Sequence, residues 1–145
     1  MSSQLDHELI ALAASSLSAV PDNDDLHTVT AAARTSDGLS FTGVNVFHFT
    51  GGPCAELVVL GVAAAQGVLA KNITTMVAVG RDNDKIRVLN PCGRCRQVLL
   101  DYNPSINVIV VDEGGAQKTV PVWELLPFAY ISDDRNQAVK EVAIA

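Results

Sequence analysis

The sequence predicts an α/β fold, and three features carry that prediction. A period-two hairpin comes early, two β-branched apolar runs follow it, and each run is preceded by a helix that starts at a proline. Strands separated by helices suggest a hairpin followed by a β-α-β-α-β section whose strands run parallel. The elements follow in order. Ser3 and Asp6 form a capping box ahead of Leu5, Leu9, Leu12, Ala13 and Leu17 at helical spacing, which predicts a first helix over residues 3 to 19. Pro21 to Asp25 ends it. Thr28 to Ala33 and Ser40 to Phe47 alternate as strands about the turn Ser36-Asp37-Gly38.

Gly51-Gly52-Pro53 opens a second helix that runs from Cys54 to about Gln66, since proline suits the first helical position. Ile73 to Gly80 is a buried-strand run, Arg81 to Lys85 a polar loop, and Pro91 to about Tyr102 a second proline-initiated helix. Ile106 to Val111 is a further strand, Asp112 to Gly115 a turn, and Pro121 to Leu126 a short helical turn carrying Trp123. After about residue 131 the tail is weakly patterned.

With 145 residues the chain suits one domain spanning 1–145, because a chain of about that length buries roughly two thirds of its extended surface. Apolar residues make up 48% and charged residues 18%, a balance that excludes disorder and suggests surface buried between subunits. Sixteen acidic against ten basic residues give a formal charge of -6, a field that disfavours a nucleic-acid partner. No apolar run reaches the roughly 20 residues of a membrane span, and Asp6 and Glu8 stand where a signal peptide carries positive charge. The expectation is a soluble, cytoplasmic protein without a membrane partner.

All three cysteines lie at the starts of the two middle helices: Cys54 in Pro53-Cys54-Ala55-Glu56, and Cys92 and Cys95 in Pro91-Cys92-Gly93-Arg94-Cys95. A helix N-terminus favours thiolates, and thiolates are zinc ligands. Three protein ligands leave the fourth tetrahedral position open to water, the pattern of a catalytic site. Glu56, two residues beyond Cys54, can stand beside that water as a proton carrier. Arg94 and Arg96 could donate to sulfur and offset the negative charge. A structural zinc knot and a redox pair at Cys92 and Cys95 are the alternative readings, and His48 could complete a Cys₃His site.

The spacing of ligand, glutamate and P-C-x-x-C resembles the zinc-dependent cytidine deaminases. FTGVNVFHFTGGPCAELVVLG (41 to 61), NPCGRCRQVLLD (90 to 101) and ELLP (124 to 127) carry the resemblance, which runs from about Thr28 to Tyr130. Within the family they are most similar to a branch that inactivates an aminoacylnucleoside antibiotic. The resemblance implies a three-layer fold with a five-stranded mixed sheet flanked by helices and a homotetramer. It implies one zinc per subunit on Cys54, Cys92 and Cys95, with Glu56 moving protons as the cytosine ring of a small-molecule nucleoside is deaminated. It further implies Asn45 at the sugar, the backbone of Ala55 at the base, and Thr28, Arg87 and Tyr130 at the substrate. Ordinary cytidine deaminases place a ribose-binding glutamate two residues after the asparagine. Here that residue is Phe47, so discrimination for ribose should be weak.

Overall fold

The computed structural model describes residues 3–131, and the expected weak patterning after residue 131 falls outside the described residues. Helix α1 (Gln4–Ser18) begins where the capping box demands: Ser3 Oγ accepts from the Asp6 amide, and the Asp6 carboxylate accepts from the Ser3 amide. Strands β1 (Val29–Thr35) and β2 (Ser40–Val44) pair antiparallel as the expected hairpin. Helix α2 (Ala55–Ala65), β3 (Ile73–Asp82), β4 (Lys85–Leu89), α3 (Gly93–Tyr102), β5 (Asn107–Val111) and β6 (Gln117–Pro121) follow, and a 3-10 turn spans Val122–Leu125. The second strand is shorter than expected. Beyond Val44 the chain leaves the sheet, and the loop to Pro53 is tied by the Val46 amide to Pro53 O and the Phe47 amide to Leu26 O.

The sheet has six strands in the order β2-β1-β3-β5-β6, with β4 also paired to β3. One more strand is present than the five expected. Strands β2, β3 and β5 point the same way, since β1 is antiparallel to both β2 and β3, and β3 is parallel to β5. This is the expected β-α-β-α-β section, with α2 crossing over β1. Strand β4 (Lys85–Leu89) lies mostly in a stretch to which the sequence assigns no element, between the polar loop expected over Arg81 to Lys85 and the helix expected from Pro91. It pairs with β3 from Asp82↔Lys85 to Ala78↔Leu89, leaving Asn83 and Asp84 as a two-residue turn in which both have positive φ.

The sheet is covered on both faces, which explains the unbroken apolar run in β3. Met76 and Ala78 face α2 and α3, packing with Val59, Leu60, Ala63, Leu99 and Leu100. Val77 and Val79 face α1, packing with Leu9, Ala13 and Leu17. The result is three layers. Gly43 lets α2 sit close on β2, because a Cβ there would lie 2.7 Å from the Val59 amide nitrogen. That approach brings the N-terminus of α2 level with that of α3. No helix among the described residues is long and apolar enough to cross a membrane.

Candidate metal and catalytic centre

Cys54 and Cys92 are the N-cap residues of α2 and α3, both in extended backbone conformation, and no side chain caps either helix. The positive ends of the two helices therefore converge uncapped on the same space. Cys95 lies one turn into α3 and is fully buried. The three sulfurs lie within 4.8 Å of one another, and Cys54 Sγ is 3.7 Å from Cys92 Sγ. Tetrahedral ligation at about 2.3 Å per Zn–S bond sets sulfurs roughly 3.8 Å apart, so this pair matches zinc. Among the described residues these three cysteines form a metal-holding group without a histidine. His48 is exposed and engages Thr50, so the Cys₃His alternative finds no support.

Electrostatics point the same way. Burial pushes the Cys54 thiol up, helped by the neighbouring Cys92 thiol. Burial pushes Cys95 up much further, and the charges of Glu56, Cys92 and Cys54 add to it. Cys92 is lowered: burial opposes this, but the backbone N–H of Cys95, the two other thiols and the backbone N–H of Arg94 outweigh it. Acidic groups this crowded repel one another once ionised, and a divalent cation among the sulfurs reverses that repulsion. The donor set therefore fits zinc.

Glu56 occupies the second position of α2 and is only 6% exposed. Its carboxylate accepts no hydrogen bond from any described residue. As an acceptor at the cavity wall it is available to what enters the site. Glu56, Cys54 and Cys92 line a cavity of about 210 Å³ together with Asn45, Ala55 and Asn90, closed by Val29, Ala78 and Leu89. Asn45 is fixed there by its Oδ1, which accepts from the amides of Thr28 at 2.7 Å and Val29 at 2.9 Å. Its amide nitrogen is thus left for a ligand. His27 Nδ1 lies 2.8 Å from the Asn45 carbonyl and holds the same loop.

Four of the expected site residues, Thr28, Arg87, Arg94 and Tyr130, do not line this cavity. Thr28 is exposed and meets the site through its backbone alone. Arg87, on β4, is exposed, pairs with Asp82 at 3.4 Å and does not line this cavity. Tyr130 is exposed, and its carbonyl accepts from Gln97. The expectation for the arginines is corrected: Arg94 donates to Gly52 O at 3.1 Å, and Arg96 to Pro91 O and Leu125 O, rather than to sulfur. Loop carbonyls flanking the cysteines need donors, and the guanidinium groups supply them while helix N–H groups face the sulfurs. Asn90 was not singled out from the sequence; its position directly before Pro91-Cys92 was the available signal.

No protein-family model matches the chain. It is 34% identical over 135 residues to blasticidin-S deaminase from Bacillus cereus, covering 88% of this chain and 94% of that protein. It is 35% identical over 108 residues to a cytidine deaminase of Mycobacterium tuberculosis, covering 73% and 74%. The crystal structure of cytidine deaminase from Burkholderia pseudomallei matches with a TM-score of 0.70 at 29% identity, covering 86% of this chain and 98% of that one. Cytidine deaminase from Bacillus anthracis, at 21% identity and a TM-score of 0.74, shares the fold. Shared sequence along most of these relatives' length agrees with the thiol and carboxylate geometry, and the chain belongs to the cytidine deaminase family of zinc-dependent aminohydrolases.

Proposed function

We propose that the protein hydrolyses the 4-amino group from the cytosine ring of blasticidin S, giving the uracil-type product and ammonia. The observation that carries the substrate choice is the cavity's charge. Among its described lining residues Glu56 is the only carboxylate. Phe47 stands where the ribose-binding glutamate of ordinary cytidine deaminases is expected, so nothing there selects ribose. The 34% identity to a blasticidin-S deaminase supports the same substrate.

Cys54, Cys92 and Cys95 would hold one zinc per subunit. When bound, zinc supplies the Lewis acidity that makes water a nucleophile at neutral pH. Glu56 takes the proton of the water that adds to C4 and delivers it to N3. The same carboxylate then carries the hydroxyl proton to the 4-amino group, the C4–N bond breaks, and ammonia leaves. Burial keeps bulk water from competing for those protons. Asn45 offers its side-chain amide to the sugar, and the Ala55 backbone, at the uncapped start of α2, holds the base. Thr28 fixes Asn45 through its amide. Arg87 and Tyr130 are assigned to the aminoacyl end that projects from the cavity, and Arg94 to the loop before Cys54.

The test is ammonia release by the zinc-loaded protein from blasticidin S, cytidine and deoxycytidine. At least a tenfold higher kcat/KM for blasticidin S is expected, and a clear preference for cytidine overturns the assignment. The second reading, a general cytidine or deoxycytidine deaminase, is favoured by the match to solved cytidine deaminases.

A further inference from the structure

We infer that Asn90 is a positioning residue for the thiol cluster, acting through the backbone of β5. The sheet forks at this point. One edge of β3 pairs with β5 at Thr75↔Asn107 and Met76↔Val108, and the same edge then pairs with β4 from Ala78↔Leu89 onward. Strand β4 thus ends beside β5 rather than within a ladder of its own. Asn90, the next residue, closes the gap with its side chain: Nδ2 donates to Val111 O at 2.9 Å, and Oδ1 accepts from the Val111 amide at 2.8 Å.

A carboxamide presents one donor and one acceptor in a plane, as a peptide group does, so it can occupy a rung between two strands. Aspartate offers only acceptors, and alanine offers neither. Asn90 also lines the cavity, and Pro91 and Cys92 follow it directly. Proline removes rotational freedom at the next residue, so fixing Asn90 at both polar atoms fixes the entry of the chain into α3. Arg96 Nε holds the other side of that entry through Pro91 O at 2.8 Å. The N-cap sulfur of Cys92 is therefore referenced to β5, and through β5 to the core of the sheet. The inference rests on the family assignment and is independent of which cytosine compound is the substrate.

Asn90→Asp and Asn90→Ala test it. Competition with a chelator should show zinc affinity falling roughly 10- to 100-fold, the usual effect of losing a group that orients a ligand. In the cobalt-substituted protein the thiolate-to-metal absorption bands should shift or weaken. With the best cytosine substrate kcat should fall more than KM rises. Zinc affinity and kcat within twofold of wild type in both variants overturn the inference. Should neither variant fold, amide exchange in the wild type decides. Coupling is reciprocal, so removing zinc should speed exchange at Val111 while leaving Ala78, at the centre of the sheet, protected. Val111 exchange that ignores zinc overturns it equally. Failure of the blasticidin S assignment would show in the substrate panel of the wild type and leave these results unchanged.

Discussion

At the scale of single residues, the cysteines and Glu56 were legible because their chemistry depends on spacing within one helical turn. Position along a helix start fixes where a side chain lies. Arg87, Tyr130 and the partners of Arg94 were not legible, because they depend on where loops fold. The glycine before Pro53 is a similar case. A Cβ on Gly52 would lie 1.7 Å from Val46 O, a backbone atom that cannot step aside without moving the loop that leads to Cys54. Gly52→Ala should cost about 1–3 kcal/mol in urea unfolding and leave the purified protein short of stoichiometric zinc. Wild-type zinc content in that variant would show that the loop shifts without disturbing Cys54.

Among the elements, helix starts were read to within a residue or two from their proline and capping signals. Two strands were missed, each for a physical reason. Asn83-Asp84 is a two-residue hairpin turn, but the polar stretch around it hid the short alternation Ile86-Arg87-Val88. Strand β6 is an edge strand with Lys118 exposed and Pro121 at its end, features that blunt an edge and also weaken its sequence signal. Helix α1 is joined to three strands through a buried polar group, Asp6. Asp6 accepts from Arg34 of β1 at 3.2 Å and from Thr119 of β6 at 2.9 Å, and Arg34 also reaches Thr75 of β3.

That network sets a pH dependence. Burial alone would push the Asp6 carboxyl up, but hydrogen bonds from Thr119, Ser3 and Arg34 outweigh it and hold it below 3.8, its ordinary value. A folded pKa below the unfolded one gives stability that is present above the unfolded value and lost as pH falls through the folded one. Asp112, held low by Lys118 and by the amides of Ala116 and Gly114, acts in the same direction. Urea midpoints should therefore fall between pH 5 and pH 3, with a shallower fall in Asp6→Asn. Asp6→Ala, which leaves Arg34 without its carboxylate, should cost about 3 kcal/mol at pH 7. An identical acid profile in Asp6→Asn would remove Asp6 from this role.

Across the whole molecule, the layer order and the parallel section were legible because a continuous apolar run signals a strand covered on both faces. The fork in β3 was not, since pairing of one edge with two strands leaves no periodic trace. Phe49, Trp123 and Phe128 are exposed apolar side chains, and we propose that they are covered in the homotetramer that the resemblance implies. Light scattering at micromolar concentration should give four times the mass of the chain, and a monomer would contradict the proposal.

In the proposed mechanism three thiolates would hold zinc while a separate buried carboxylate moves the protons. Parallel measurement of zinc content and ammonia release in the wild type and Glu56→Gln tests it most directly. The variant should keep one zinc per chain and the wild-type melting temperature while turnover falls roughly 10²- to 10⁴-fold. Loss of zinc on that substitution, or turnover within a few fold of wild type, would contradict the account.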